Sequence, residues 1–422
     1  MKWEEFSFLL FNRDFKLLIS LFIVIFLILL LTFRKNINNL FDPLNIMVIN
    51  LSSCFSVLIY LFFKNLIISR YFYQLIITNI LFLITLKKIL SYKAINVFEQ
   101  KLNKKFFEVY YLIHTIFFFL AVIFFYKFVN NRLLTDTLNA FNNLGLLKYT
   151  STFLFPGQLI LIFIKRDMYD LKSKVDYFIC ILVFILFLFS GGKTATITYF
   201  LYIFSVFYFF NLFQENKMYE KLKRFSFLII ILGLVGVIAL FSVRYKESNL
   251  IEILKKIIHR VFSSGDTYYM AYVNNNIEKI EGISLIRYYI LPLLDPILRR
   301  VIKMKEFIYP GFQIMEVVYG YKTNFTGPNT RYDLVWQMNL GYFGIIGGIF
   351  SGILMGSIRK VKTLNFIFLE VLVILFVNME TIIIDFGLFG KFLFSCIFML
   401  FILLFISYFI FKIIKCRKRV TL

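Results

Sequence analysis

Residues 244–331 carry most of the side chains that could do chemistry in this chain. Among its 47 basic residues, six arginines and seven lysines lie in this segment, while the sequence around it is mostly apolar. A guanidinium binds phosphate through two parallel hydrogen bonds and stays charged at physiological pH. Each arginine alone could equally contact solvent or a lipid headgroup, but together they predict a site for a phosphate-bearing ligand. They are Arg244, Arg260, Arg287, Arg299, Arg300 and Arg331.

Two stretches of the same segment combine aromatic rings with acids and amides. Residues 263–276 read SSGDTYYMAYVNNN, and residues 324–332 read NFTGPNTRY and lead directly into Asp333. Aromatic faces pack against sugar rings, and carboxylates and amides hydrogen-bond sugar hydroxyls. With arginines for phosphate, this composition predicts a lipid-linked saccharide as the ligand; the alternative is an ordinary extracellular loop folded on itself. The candidate sugar-binding side chains are Tyr268, Tyr269 and Asn329.

The same segment offers two main candidates for a catalytic base. Asp333 lies two residues after Arg331 at the start of a predicted helix, so it combines rigidity with a neighbouring cation. Asp266 lies in the tyrosine-rich stretch, which is better suited to sugar binding. We therefore expect Asp333 to act ahead of Asp266, with Glu316 and His259 behind. The arginine could also be a structural ion-pair partner, and a nearby cation lowers the pKa of a carboxylate and weakens it as a base.

A further anion site is predicted at the glycine turn of residues 190–195 (SGGKTA). This turn joins two predicted spans and presents Lys193 and backbone N–H groups at a helix start, which suits an anion. The lysine could equally anchor the turn to lipid headgroups.

The sequence contains no motif for a metal or a nucleotide. HExxH, GxxxxGK[ST] and paired CxxC are absent, and there are only two histidines, so we predict neither a metal nor a cofactor. His114 lies inside a predicted span and is interpreted as a hydrogen-bond partner between helices. The acids Glu370 and Glu380 are candidates for an intramembrane relay, although two scattered carboxylates make a weak one.

The elements that must position these residues are membrane spans. The chain is 60% hydrophobic and 20% aromatic with a mean hydropathy of +0.79, which is outside the range of soluble domains. A bilayer core needs about 20 apolar residues per helix, and this length predicts an all-α polytopic protein with about 11 spans. We place them near residues 17–33, 44–63, 71–86, 107–128, 149–164, 175–190, 194–213, 225–243, 333–357, 364–380 and 392–411.

The distribution of charge predicts the topology. Basic clusters recur at every second loop and satisfy the positive-inside rule if these loops are cytoplasmic. The long loop then lies outside, the amino terminus outside and the carboxyl terminus inside. The net charge of +23 therefore indicates membrane topology and no nucleic-acid partner. The clusters are residues 34–35, 87–105, 165–174, 217–224, 359–362 and 412–419.

These patterns divide the chain into residues 1–243 with spans 1–8, the loop 244–331, and residues 332–422 with spans 9–11 and a basic tail. We expect the first apolar run to remain as a span because it lacks a small-residue cleavage site. Four cysteines, three of them inside spans, suggest no disulfide framework.

Three helical features are predicted in and after the loop. Residues 249–262 form an amphipathic surface helix, with Leu250 on its apolar face and His259 on its polar face. Residues 283–302 contain two prolines and form two short interfacial or re-entrant helices. The next span carries glycines at four-residue spacing, which permit close helix packing. These glycines are Gly344, Gly348, Gly352 and Gly356.

Over most of its length, the chain resembles the bacterial O-antigen polymerases (Wzy-type oligosaccharide repeat-unit polymerases). The resemblance rests on FDPLNI at residues 41–46, the SGGKTA turn, the large loop, and GPNTRYDLVWQMNLGYFGIIGG at residues 327–348. Order and spacing carry this resemblance, because each motif is loose. Lys193 stands where the family often has arginine. Arg300 and Gly311 fit an arginine, ten residues, glycine pattern described for some members.

The resemblance implies a metal-independent glycosyltransferase with a GT-C-like fold in the bacterial inner membrane, with the large loop in the periplasm. Such an enzyme moves a growing glycan from undecaprenyl diphosphate onto another undecaprenyl-diphosphate-linked repeat unit. Its partners would be these lipid-linked donors and acceptors, membrane lipids and a chain-length-determining co-polymerase.

Two other functions remain open. An O-antigen ligase would share the lipid donor and architecture, but that family has a histidine near the helix after the loop, where this chain has Arg331 and Asp333. A polysaccharide flippase would have about twelve spans and short outer loops, which the long loop disfavours.

Overall fold

The computed structural model describes residues 1–98, 100–129, 146–189, 195–212, 217–245, 249–281, 284–301, 310–320 and 328–420. Apart from one pair of two-residue parallel strands, β1 (Ile95–Asn96) and β2 (Val361–Lys362), the regular structure of these residues is helical. The all-α class is therefore confirmed, with this short strand pair as an unpredicted addition.

The helices are numbered in chain order. The first part contains α1 Trp3–Asn12, α2 Phe15–Phe33, α3 Pro43–Phe63, α4 Ser69–Ser91, α5 Lys104–Val129, α6 Leu146–Tyr169, α7 Lys174–Phe189, α8 Ala195–Asn211 and α9 Lys217–Tyr245. The second part contains α10 Leu250–Phe262, α11 Asp266–Ala271, α12 Leu285–Val301, α13 Pro310–Tyr319, α14 Tyr332–Leu340, α15 Ile346–Lys360, α16 Phe366–Val377, α17 Thr381–Ile384 and α18 Phe386–Val420. Short 3-10 segments occupy Ser263–Gly265, Val273–Lys279 and Gly341–Ile345.

Within the described residues, seven helical stretches are long and apolar enough to cross a membrane, so the protein is membrane-embedded. They are Phe15–Phe33, Pro43–Phe63, Ser69–Ser91, Lys104–Phe125, Tyr219–Ala239, Tyr332–Lys360 and Phe386–Lys415, and each matches a predicted span. The other four predicted spans correspond to α6, α7, α8 and α16, and α16 has only 12 residues. The count of eleven spans and the GT-C-like fold stay predictions.

The chain forms two compact units that cut across the three predicted segments. Unit 1 contains residues 1–93, 245–360 and 379–390, and unit 2 contains residues 94–244, 361–378 and 391–422. Most of the loop after α9 therefore packs with the first four helices in unit 1.

In unit 1, the glycine ridge of α15 lies directly against α4. A Cβ atom added at Gly352 would lie 2.9 Å from the backbone oxygen of Phe82, and one at Gly356 would lie 2.6 Å from a side-chain carbon of Ile89. Side chains at these positions would separate the helices, so the glycines allow the close contact. The predicted packing role is confirmed for Gly348, Gly352 and Gly356, while Gly344 meets the backbone of Gln337 instead.

The span predicted at residues 333–357 is present, but it is interrupted by a turn after α14. Gly341 has a φ of +53°, a conformation that glycine adopts without a steric penalty, and a 3-10 turn follows it. The stretch Tyr332–Lys360 is therefore two helices with a turn between them.

Residues 283–302 also differ from the prediction of two short helices. The structure has one helix, α12, which continues through its prolines. Pro292 is buried, and a Cβ atom on Gly390 would lie 2.6 Å from the Pro292 Cβ. Packing of the proline ring in this glycine-lined gap favours the continuous helix over a break.

The helix predicted at residues 249–262 is confirmed as α10, while its location on the membrane surface stays a prediction; His259 is not on a solvent face. Asn249 caps the helix through a 2.9 Å hydrogen bond from the Ile251 N–H. His259 is buried, with its ring centroid 4.1 Å from that of Trp3, whereas Leu250 is exposed. His259 therefore lies against α1, and its assignment to the polar face is wrong.

The start of α3 is fixed to the end of α15 within unit 1. Asp42 accepts a 3.0 Å hydrogen bond from the Leu44 N–H and caps α3, and Pro43 occupies its first turn. The Arg359 guanidinium donates to both oxygens of the same carboxylate at 2.7 and 2.6 Å. Because this bidentate pair is buried, it fixes the register between the two helices.

Candidate functional site

A buried ion pair lies at the start of α14 in unit 1. The Nε atom of Arg331 is 3.3 Å from Oδ1 of Asp333, and its Nη2 atom donates to Oδ2 at 3.4 Å. Both side chains are 0% exposed. A buried charge without a partner is strongly unfavourable, so each residue stabilises the other in this position.

Two side chains from other elements complete the coordination of Asp333. Asn79 of α4 donates to Oδ2 at 2.9 Å, and the Tyr268 hydroxyl donates to the same oxygen at 2.5 Å. The Leu334 N–H donates to Oδ1 at 2.9 Å. Both carboxylate oxygens therefore accept hydrogen bonds from the protein itself.

The guanidinium of Arg331 also contacts side chains from several elements. It donates to the Cys54 sulfur at 2.9 Å and to the Asn79 Oδ1 at 3.4 Å, and it lies 5.0 Å from the centroid of the Tyr268 ring. The Tyr332 hydroxyl donates to the same Asn79 oxygen at 3.1 Å. We call the following residues the Arg331 cluster: Cys54, Asn79, Tyr268, Arg331, Tyr332 and Asp333.

A chain of amides extends from the cluster toward the bend after α14. The Tyr272 hydroxyl donates to Gln337 at 2.6 Å, and the Gln337 amide donates to Gln74 at 3.1 Å. Gln74 in turn donates to the backbone oxygen of Gly341. Buried networks of this kind fix the geometry of a site when their members are satisfied.

The start of α11 is held against α3 by polar groups that face the loop. Ser53 donates to the Val261 carbonyl at 2.7 Å, and Ser264 donates to Asn50 at 3.0 Å. A Cβ atom on Gly265 would lie 2.9 Å from Val57, so glycine allows this close approach. The following residue, Asp266, is thereby placed on a rigid surface.

Asp266 is half-buried and has one buried carboxylate oxygen without a hydrogen-bond partner among the described residues. Its pKa is raised to about 7, chiefly because burial disfavours the charged form, while Arg260, the N–H groups of Thr267 and Asn329, and Arg331 act in the opposite direction. The buried oxygen is Oδ1. A carboxyl with a pKa near 7 is suited to exchange a proton near neutral pH.

Residues 328–331 connect Asp266 to the Arg331 cluster. Asn329 is half-buried, and its backbone oxygen accepts a hydrogen bond from Thr267. The backbone oxygen of Thr330 accepts one from Tyr288 at 2.7 Å, and the Thr330 hydroxyl accepts one from the Gly311 N–H at 3.1 Å. These bonds fix the short segment that leads into Arg331.

The predicted arginines do not all converge. Arg331 lies inside the cluster, whereas Arg260 and Arg287 are exposed on α10 and α12. The side chains of Arg244, Arg299 and Arg300 and all of Lys193 lie outside the described part of the chain. A diphosphate site formed by these arginines therefore stays a prediction.

The predicted tyrosines have different surroundings. Tyr268 contacts both charged residues of the cluster, as described above. Tyr269 is buried and stacks on Phe6 with ring centroids 4.2 Å apart. In this arrangement the Tyr269 ring packs against protein, and its sugar-binding role stays a prediction.

Sequence reasoning missed Cys54, Gln74, Asn79 and Gln337. A signal was present, because Gln74 and Asn79 are amides within the predicted span 71–86, where a polar side chain is costly without a partner. The spacing within α4 could not indicate which distant residues would satisfy them.

Comparison with known proteins identifies no relative, since no protein-family model, curated protein or solved structure matches this chain.

Proposed function

We propose that this chain is a membrane glycosyltransferase that polymerises undecaprenyl-diphosphate-linked repeat units into O-antigen or a related surface polysaccharide. The observation that supports it best is the position of Asp266: a carboxyl with a pKa of about 7 beside the Arg331 cluster and the exposed Arg260. An acceptor hydroxyl, a sugar and a phosphate could each find a suitable side chain in this region. The family resemblance of the sequence supplies the substrate class.

In the proposed reaction, the acceptor hydroxyl oxygen attacks the anomeric carbon of the donor glycan. Its proton moves to the Asp266 carboxylate, the new glycosidic bond forms, and the bond from the anomeric carbon to the diphosphate breaks. Undecaprenyl diphosphate leaves with the bonding electrons. Cations such as Arg260 and Arg287 would stabilise the charge on the departing diphosphate.

This proposal assigns the base to Asp266 in preference to Asp333. The oxygens of Asp333 already accept hydrogen bonds from Asn79, Tyr268 and a backbone N–H, and its side chain is fully buried beside a guanidinium. These contacts leave little access for an acceptor hydroxyl. We assign Asp333 and Arg331 the role of holding Tyr268 and the neighbouring segment in place.

The assignment can be tested with purified protein and lipid-linked repeat units. Asp266→Asn keeps the shape of the side chain and removes its basicity, so we expect loss of polymer formation with retained donor binding. Asp333→Asn should lower thermal stability more than it lowers turnover per folded molecule. Normal turnover of Asp266→Asn together with loss of turnover in stable Asp333→Asn would reverse the assignment.

A deletion strain separates the three candidate functions. Lipopolysaccharide core capped with a single repeat unit would support a polymerase, whereas bare core would indicate a ligase or a flippase. We also propose that polymerisation needs no metal. Product formation that stops after chelation and returns with Mg²⁺ or Mn²⁺ would contradict this part of the proposal.

The proposed location is the bacterial inner membrane with the large loop in the periplasm, where a chain-length-determining co-polymerase would act with it. Reporter fusions after Glu281 should be active outside the cytoplasm, and fusions after Lys101, Asp170, Glu220 and Lys362 inside it. A cytoplasmic signal at Glu281 would exclude the proposed location of the site.

A further inference from the structure

Unit 2 contains a buried pair of ionisable groups, formed by His114 of α5 and Glu370 of α16. Nε2 of His114 lies 3.1 Å from Oε1 of Glu370, and both side chains are 0% exposed. Both residues belong to apolar helices, where an ionisable group needs a partner. This pair has no part in the function proposed above.

Neighbouring hydrogen bonds show which atom of Gln158 faces Nδ1 of the His114 ring, and so whether Nδ1 carries a hydrogen. The Thr115 hydroxyl donates its hydrogen to the Tyr111 carbonyl at 2.7 Å, so it must accept the 3.0 Å hydrogen bond from the Gln158 amide nitrogen. The other end of the amide, Oε1 of Gln158, then faces Nδ1 of His114 at 2.7 Å. Because that oxygen can only accept, Nδ1 of the ring carries a hydrogen.

The second carboxylate oxygen of Glu370, Oε2, also has a hydrogen-bond partner. The Tyr110 hydroxyl donates to Oε2 of Glu370 at 2.9 Å. Nε2 of His114 and Oε1 of Glu370 then face each other, and within the described residues neither has another hydrogen-bond partner. If no proton lay between them, two lone pairs would oppose each other 3.1 Å apart in a medium of low dielectric constant.

We infer that the His114–Glu370 pair is a binding site for a single proton inside the membrane-embedded part of unit 2. The proton can reside on Nε2, which gives an imidazolium–carboxylate pair, or on Oε1, which gives a neutral imidazole and a carboxylic acid. In both arrangements the pair has no net charge. Removal of the proton would leave one buried negative charge.

Groups on the surrounding helices leave this charge balance unchanged. Tyr110 of α5 and Cys396 of α18 are the titratable side chains near Glu370, and both are neutral when protonated. Farther along α5 and α6, Lys165 is paired with Asp176 at 3.0 Å, and the Tyr111 hydroxyl donates to the same carboxylate. Among the described residues, the ion pair recorded for Glu370 is with His114 and not with a lysine or arginine.

Gly157 of α6 provides the space for the pair. A Cβ atom at this position would overlap Oε1 of Glu370 and lie 2.9 Å from Nε2 of His114. Gly157→Ala should therefore displace the two atoms that share the proton. Gly233→Ala is a matched control, because its Cβ would meet Ile197 at an ordinary 3.6 Å.

Nuclear magnetic resonance of ¹⁵N-histidine in the full chain, reconstituted in lipid nanodiscs, tests the inference. The chain has two histidines, so His259→Asn leaves the signals of His114 alone. At pH 7 we expect Nδ1 of His114 to carry a hydrogen that is hydrogen-bonded. We expect Nε2 either to carry a proton or to accept a hydrogen bond from the Glu370 carboxyl. In the second case, the infrared band of a protonated carboxyl should be present in the wild type and absent from Glu370→Gln.

Two variants, Glu370→Gln and Gly157→Ala, distinguish a change at the proton site from a loss of folded protein. The amide of Glu370→Gln can donate to Nε2, so this variant should fold with a neutral His114 whose Nε2 accepts a hydrogen bond. Gly157→Ala should lose the hydrogen-bonded Nε2 signal, while Gly233→Ala keeps it. A neutral His114 with a bare Nε2 beside an ionised Glu370 in the wild type would overturn the proposal, as would an unchanged Nε2 signal in folded Gly157→Ala.

Discussion

The pH dependence of polymerisation tests the assignment of Asp266 most directly. With a pKa of about 7, the carboxylate form would make up about 9% of the molecules at pH 6, about 50% at pH 7 and about 90% at pH 8. If this form is the base, turnover should rise about fivefold between pH 6 and pH 7 and less than twofold between pH 7 and pH 8.

Substitution of Arg260 gives a second test of the titration of Asp266. Its positive charge lowers the pKa of Asp266, so Arg260→Gln should raise that pKa and move the rising limb of the profile to higher pH. The exposed Glu281 belongs to the same loop, and Glu281→Gln should leave the midpoint unchanged.

The assay is the initial rate of product formation by purified protein in nanodiscs at saturating lipid-linked substrate, from pH 5 to pH 9. Protein stability is recorded at each pH, so that unfolding is not mistaken for titration. A flat profile between pH 6 and pH 8, or a single midpoint near 4 that persists in Asp266→Asn, would refute the reasoning.

Three other predictions concern packing and charge. Asn79→Leu removes hydrogen bonds to both members of the buried ion pair and should lower the free energy of unfolding by about 2–3 kcal/mol, measured by thermal unfolding in nanodiscs; Ile80→Ala, at a position exposed on the same helix, should cost less. Gly352→Leu should separate α4 from α15 and reduce the yield of folded protein, whereas Ile353→Leu, on the exposed side of α15, should not. Arg287→Ala should shorten the polymer seen on gels, with Arg287→Lys only partly restoring it because lysine lacks the bidentate geometry; normal length in Arg287→Ala would remove this residue from the phosphate site.

Local sequence information predicted part of the candidate site. Arg331 and Asp333 are two residues apart, so their proximity followed from a short pattern, whereas the tyrosine-rich stretch indicated Tyr268 only as a separate candidate. Asn79 joins them across a separation of 254 residues in sequence. Apolar periodicity predicts that α4 is a span, but it contains no information about which polar side chain faces which loop.

The differences between the predicted and the observed fold also arise from contacts between residues that are distant in sequence. Prolines predicted a break in residues 283–302, yet packing of Pro292 near Gly390 stabilises one helix. Helical periodicity predicts that the ionisable His259 lies on a polar face, although its ring packs against Trp3. In both cases tertiary contacts outweigh a local preference, and such contacts are not visible in a short window of sequence.

The position of α4 has a consequence for local opening of the protein. One side of this helix meets the glycine ridge of α15 through Thr78 and Phe82, and the adjacent Asn79 holds the Arg331 cluster. Amide groups in this turn can exchange with solvent only if the helix pair and the ion pair separate together, so they should be among the slowest in the chain to exchange. Reorganisation of the Arg331 cluster should therefore be coupled to opening of the helix pair, which predicts that the geometry of the cluster changes little while α4 and α15 stay packed.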